Sequence, residues 1–585
     1  MTGVVERDQY RIEKILFESR PGFPVTCNLY VPAGRSAPMP SVIVTCGHSE
    51  NSKCAEAENA VAQGFARQGY VVLIFDPPGQ GERRQYLGND SQSKYVYATY
   101  EHAQSGNQQV LVGESSSAWF AWDGVRAVDY LLTRPEVDPQ HVGITGNSGG
   151  GMQTTYLCGI EPRLTMAAPS GWVTTIRRNA ENELTQDTEQ CLPNVLAHGL
   201  DHSDLLAAFA PKPIVILAQE KDFFDVRGSQ EAYERLKRLY ELLGKPDNIR
   251  LLVGPNYHSY PQPSREATYR LFNSVTGIAG PATEPQLTIE KDETLWCSPK
   301  GQVAHENART IFSFTREKSE RLAKTRPTLD EKALQDAVRT LLKLPTIAGV
   351  PDFTILRNAG RNRYVTKGYC TYAVETEPGV SALVTRLFDD QLLSPPPRGS
   401  KRAVLYVSHQ SADTELRTEP LIADLLKAES ESAFYACDVR GIGESRPNIG
   451  GPAGRPPLPF DSEYFFASNS LMLGRPYLGQ RVFDVLRVLE WLNAQGHTEI
   501  HLVAKGWGAL AATFAALLKP AVMEITLKHS LVSFAEVAET EDYRWPYATL
   551  LPSVLLHFDL PDCYKALARR KVTQIEPWGA NDGLS

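Results

Sequence analysis

The chain has 585 residues, of which 42% are hydrophobic and 22% charged, with a formal net charge of -8. That length exceeds one ordinary core and points to two or more domains, while the acidic balance excludes a broad basic surface and with it a nucleic-acid partner. No apolar run approaches the roughly 20 residues that span a bilayer, which excludes a membrane-spanning helix. Nine cysteines, scattered from Cys27 to Cys563 without a Cys-x-x-Cys pair, suggest buried free thiols rather than a disulfide framework or a zinc site. The opening Met1-Thr2-Gly3-Val4-Val5-Glu6-Arg7-Asp8 lacks the apolar core of a secretory signal. A cytoplasmic location is therefore expected, or a secreted or periplasmic one if a signal has been removed.

In chain order, short β-branched-rich runs at 41–45, 70–75, 142–145, 213–218 and 250–253 read as strands buried on both faces of a parallel sheet. Between them, Val125, Val128, Leu131 and Leu132 recur at helical spacing over 122–132. Alternating strands and helices predict an α/β fold with a mostly parallel sheet. Residues 278–350 differ in character. Thr328-Leu329-Asp330-Glu331 forms a capping box, and Leu334, Val338, Leu341 and Leu342 give an amphipathic helix closed by Pro345. This segment reads as a helical connector, since it lacks the Gly/Ser enrichment of a flexible linker.

The plan then repeats. Asp76-Pro77-Pro78-Gly79-Gln80-Gly81-Glu82 matches Asp438-Val439-Arg440-Gly441-Ile442-Gly443-Glu444, and the helix beginning at Asp123 matches the one beginning at Asp484, both at a spacing of about 360 residues. The expected division is an α/β domain at 1–277, the connector at 278–350 and a second domain of the same kind at 351–585.

Chemistry is concentrated in the first copy. Gly146-Asn147-Ser148-Gly149-Gly150 follows a strand and precedes a helical run, the pattern of a nucleophile elbow. A serine nucleophile needs a base and an acid to orient it. His258 follows the strand at 250–253 and Asp222 follows the strand at 213–218, so Ser148, Asp222 and His258 are the expected triad, with Asp225 as the alternative acid. The oxyanion hole is assigned to the backbone N–H groups of Gly149 and of His48, in the loop after the strand at 41–45. The stretch from 180 to 203 is where a pocket wall is expected. Gln190, His198, Asp201 and His202 there are candidates to hydrogen-bond a sugar-like substrate or, equally, members of a solvated cap. No spacing in that stretch suggests a metal site, and no cofactor is called for.

On the Gly47-His48 loop, the Asp76 to Glu82 motif, the elbow and Glu220-Lys221-Asp222-Phe223-Phe224, residues 10–276 resemble the α/β-hydrolase superfamily, and within it bacterial acetyl xylan esterases and prolyl-oligopeptidase-like hydrolases. The resemblance implies a serine ester hydrolase working through an acyl-enzyme on small acyl esters, with a serine peptidase or amidase as its rival. A scaffold built from two such folds is the non-catalytic alternative. Related glucuronoyl esterases carry arginine after the nucleophile, where this chain has Gly149, which argues against a uronate ester. In the second copy Gly506 falls on the nucleophile position, no histidine follows the last strand at 572–575, and Asp562 stands as a remnant acid. That copy is expected to be catalytically degenerate.

Overall fold

The computed structural model describes residues 1–88, 93–361, 363–389, 400–447 and 463–583. They form two compact units, one of residues 1–106 and 115–314 and the other of residues 107–114 and 315–585.

The first unit is built on a nine-stranded sheet. Its strands are β1 (Gly3–Glu6), β2 (Tyr10–Arg20), β3 (Phe23–Pro32), β4 (Met39–Thr45), β5 (Val71–Phe75), β6 (Val137–Asn147), β7 (Met166–Ser170), β8 (Ile214–Lys221) and β9 (Ile249–Tyr257), in the order β1-β2-β3-β5-β4-β6-β7-β8-β9. The first three strands join antiparallel and β3 pairs antiparallel with β5. From β5 onward every pairing is parallel.

The central strands alternate their side chains between two apolar layers, as a period of two requires. Ile43, Val71, Leu73 and Phe75 face the layer formed with α3 (Ser116–Leu131), α4 (Gly149–Ile160) and α7 (Val226–Leu242). Val42, Val44, Val72 and Ile74 face the opposite layer, which holds Phe65 of α1 (Glu56–Gln68) and Phe272 of α8 (Gln262–Thr276). Helices on both faces explain the continuous apolar strand signals. The helix foreseen at 122–132 starts earlier, because Ser115 caps it by accepting the Ala118 N–H. Because β4, β6, β8 and β9 run parallel, the residues that follow them gather at one edge of the sheet. Those residues are Gly47-His48, Ser148, Asp222 and His258.

The second unit carries an eight-stranded sheet: β10 (Phe353–Arg361), β11 (Gly368–Glu377), β12 (Val380–Phe388), β13 (Arg402–Val407), β14 (Ala433–Asp438), β15 (Glu499–Lys505), β16 (Val522–Lys528) and β17 (Lys571–Ile575). Its order, β10-β11-β12-β14-β13-β15-β16-β17, is that of β1 through β8. Both sheets are α/β and doubly wound, as expected from the repeated motifs. The match corrects one alignment. β17 is the counterpart of β8, and among the described residues the second sheet has no counterpart of β9, the strand that precedes His258.

The connector foreseen at 278–350 divides between the units. Leu295 joins a core layer of the first sheet, and the Cys297 and Ser298 N–H groups donate to Glu82. Leu334, Val338 and Leu342, on the helix Glu331–Leu342, join the core of the second.

Candidate active site

Ser148 sits between β6 and α4 at φ 59 and ψ -122, a backbone conformation that costs a non-glycine residue about 1–3 kcal/mol. The turn is held by the Ser148 N–H donating to Ser170 O at 3.0 Å. Its tightness explains the glycines. A Cβ on Gly150 would stand 2.2 Å from Thr45 O, and one on Gly151 would stand 2.1 Å from Ser170 O.

His258 follows β9 directly. Its Nδ1 lies 2.9 Å from both carboxylate oxygens of Asp222, whose side chain is buried. Asp222 Oδ1 also accepts the Phe224 N–H at 3.0 Å. The carboxylate thus fixes both the orientation and the tautomer of the ring, leaving Nε2 as the nitrogen available for a proton transfer. Cε1 of His258 is 3.4 Å from the position of a Cβ on Gly171, the residue after the one that bonds Ser148. Phe223, about half exposed, lies against the imidazole with ring centroids 4.2 Å apart. The alternative acid, Asp225, is occupied elsewhere. It caps α7 through the Arg227 N–H at 2.9 Å, and the Arg227 guanidinium holds its carboxyl well below the usual carboxylate range.

The loop after β4 abuts the elbow serine, since a Cβ on Gly47 would be 3.5 Å from Ser148 Cβ. Glu58 accepts the Gly47 N–H at 3.2 Å, and Gln80 Nε2 donates to Gly47 O at 2.7 Å and to Ser49 O at 3.2 Å. The motif from Asp76 to Glu82 therefore braces this loop. It is itself anchored by the buried Lys53, whose Nζ is 2.6 Å from both Asp76 and Glu82. Among the described residues no acceptor takes the N–H of His48 or of Gly149. The latter opens α4, where the helix dipole adds positive potential. The His48 ring covers Gly149, with Nε2 2.8 Å from the position of a Cβ there. That ring bonds Glu189 at 2.7 Å through Nε2 and faces Asp187 at 3.3 Å through Nδ1. Burial alone would lower its pKa, but the two carboxylates outweigh burial and push it up to about 9.

The residues foreseen as substrate contacts are engaged with the protein instead. Gln190 accepts from Trp172 Nε1 at 3.2 Å and donates to Asp187 at 3.0 Å. Asp201 caps the helix α6 (His202–Ala207) and accepts the Ile176 N–H at 3.0 Å. His202 stacks on Trp172 at 3.8 Å and accepts the Thr174 N–H through Nδ1. Burial pushes its pKa down to about 3, so the ring is neutral. The polar atoms of these three side chains are thus engaged with neighbouring residues.

Comparisons with known proteins concern the first unit's fold. The model of the abhydrolase family covers residues 1–271. The first unit has the α/β-hydrolase fold. The methylesterase BT1017 is similar in fold at 23% identity and TM-score 0.44, over 53% of this chain and 66% of that one. An acetyl xylan esterase from a Paenibacillus species gives 17%, 0.34, 47% and 88% for the same quantities. A glucuronoyl esterase from Solibacter usitatus gives 16%, 0.33, 46% and 84%. No curated protein matches the sequence.

Around the hydrolase elbow the structure adds residues that no local pattern announces. Asp187 and Glu189 come from the wall segment, His102 from the helix α2 (Ala98–Gln109) and Glu58 from α1. Gln80, like Asp76 and Glu82, lay within a motif singled out in the sequence.

The second unit keeps the shape of the hydrolase elbow and closes its donors. Gly506 has φ 51. The Trp507 N–H, counterpart of that of Gly149, donates to His409 Nδ1 at 3.1 Å. The His409 N–H donates to Glu415 at 3.1 Å. Asp562, foreseen as a remnant acid, belongs to a capping box with Asp559 at the start of the helix Leu560–Leu567.

Proposed function

We propose that the first unit is a serine carboxylester hydrolase that removes acetyl or other small acyl groups from carbohydrate or small-molecule esters. The observation that carries this reading is the Asp222-oriented His258 at the same sheet edge as a strained elbow serine whose neighbouring loop and turn carry two unpaired backbone donors. In this mechanism His258 Nε2 takes the proton from Ser148 Oγ as the oxygen attacks the ester carbonyl. The N–H groups of Gly149 and His48 receive the charge that develops on the carbonyl oxygen. His258 then returns the proton to the departing alcohol, leaving Ser148 acylated. Water activated by the same imidazole attacks the acyl-enzyme and releases the acid. The half-exposed Phe223 offers an apolar surface beside the imidazole. The test is a panel of p-nitrophenyl acyl esters and acetylated sugars, assayed with and without a serine-directed phosphonate. Phosphonate-sensitive turnover that falls with acyl length supports the reading, and no turnover of any ester refutes it.

A further inference from the structure

Two clusters among the described residues bring three imidazole or carboxylate donors within 4.8 Å of one another. They differ in what already neutralises them. In the second unit, Glu429 and Glu524 are both bound by Arg402 at 2.8 Å, Glu524 also pairs with Lys571, and Thr526 faces Nε2 of His501 at 2.9 Å. A cation there would have to displace an arginine and a lysine.

The cluster beside the hydrolase elbow has no such cations. His48 Nε2 lies 2.7 Å from Glu189 Oε1, and His102 Nδ1 lies 3.1 Å from the same oxygen. Glu189 is fully buried, and its Oε2 has no hydrogen-bond partner. Among the described residues neither Glu189 nor Asp187 pairs with lysine or arginine. Buried carboxylates need a compensating cation, and the only local candidates are two imidazoles. Asp187, on Nδ1 of His48 at 3.3 Å, stands where a carboxylate orients a metal-bound histidine, with Gln190 holding it in turn.

We infer that His48, His102 and Glu189 form a site for a divalent transition-metal ion of the zinc class, with Asp187 orienting His48. Two imidazole nitrogens and a carboxylate are a donor set suited to zinc, which takes them at about 2.0–2.2 Å and leaves a further position open. Donors at those bond lengths in a tetrahedron stand about 3.3–3.5 Å apart, so the two imidazole nitrogens, now 2.7 and 3.1 Å from Glu189 Oε1, would each move away from it by less than about 1 Å. The ion would join three segments distant in sequence: the loop after β4, α2 and the pocket wall. The inference stands on the cluster itself and not on the esterase reading.

The test uses the full chain dialysed against a chelator and titrated with Co2+, followed by visible absorption and metal analysis, with Zn2+ as competitor. The expected result is one Co2+ per chain, displaced by Zn2+, with the low-symmetry d–d bands of nitrogen and oxygen ligation and a higher Tm for the metal-loaded protein. Glu189→Gln and His102→Gln should abolish saturable binding, and Asp187→Asn should weaken it about 10- to 100-fold. His501→Gln, in the cluster that Arg402 and Lys571 neutralise, should bind as the parent does. Absence of stoichiometric Co2+ in the parent protein overturns the inference. So does unchanged binding in folded Asp187→Asn together with either ligand variant.

Discussion

The two elbows of this chain share a backbone and differ in where their hydrogen-bond donors point. At Ser148 a histidine in the neighbouring loop is drawn onto Glu189 and Asp187, and the donors of Gly149 and His48 stay open. At Gly506 the neighbouring histidine turns its Nδ1 onto the Trp507 N–H, and its own N–H is taken by Glu415. A strained strand-to-helix turn is therefore compatible with open and with occupied donors. What separates the elbows is a serine, a strand followed by a histidine, and a pair of carboxylates that hold the His48 ring.

The comparison breaks most sharply at Ser148 and His258. Ser148→Ala or His258→Ala should lower ester turnover by on the order of 10³-fold or more with the fold intact, checked by steady-state kinetics and circular dichroism. Asp222→Asn should cost on the order of 10³- to 10⁴-fold, because the imidazole loses its oriented tautomer. Asp225→Asn should instead cost up to about 1 kcal/mol of stability as a weakened helix cap, with little effect on rate. The reverse ranking in kcat would make Asp225 the acid. Gly149→Ala should lower kcat by about 10- to 100-fold. The new methyl would meet His48 Nε2 at 2.8 Å and displace the loop that carries a donor.

In the second unit, Gly506→Ser should create no activity. It should destabilise the protein by about 1–3 kcal/mol in urea unfolding, because its Cβ would stand 2.4 Å from His409 Nδ1 at a positive φ. A pH-dependent effect on stability concerns His202. His202 is held neutral by burial with its pKa near 3, against 6.5 when solvated. The unfolded chain therefore binds more protons between those values, and stability falls as pH drops below about 6.5. His202→Gln should remove that part of the acid-side loss, seen as a smaller difference in unfolding free energy between pH 7.5 and 5.

Much of this was legible in the sequence because it is local. The elbow, the residues just after two strand signals and the repeated Asp-x-x-Gly-x-Gly-Glu motif each occupy a few consecutive positions. The antiparallel strands β1 to β3 were missed because their pattern mixes polar and apolar residues, and β7, Met-Ala-Ala-Pro-Ser, because small residues carry little strand signal. The His48–Glu189–His102 cluster could not be read at all, since its members lie 141 and 87 residues apart and meet only in the fold. Gln190, Asp201 and His202 have the composition of a sugar site, and only tertiary contacts show that their polar atoms are engaged with neighbouring residues. The second unit's final strand was matched to the base strand from its place near the end of the chain. The sheet order assigns it to the acid strand instead.

The central claim is that one elbow is open to chemistry and the other closed by its own histidine. Labelling the whole chain with a fluorophosphonate, followed by peptide mapping, tests it most directly. A single stoichiometric adduct on Ser148, lost in Ser148→Ala, is expected. A stoichiometric adduct within residues 351–585, or labelling that survives Ser148→Ala, would contradict it.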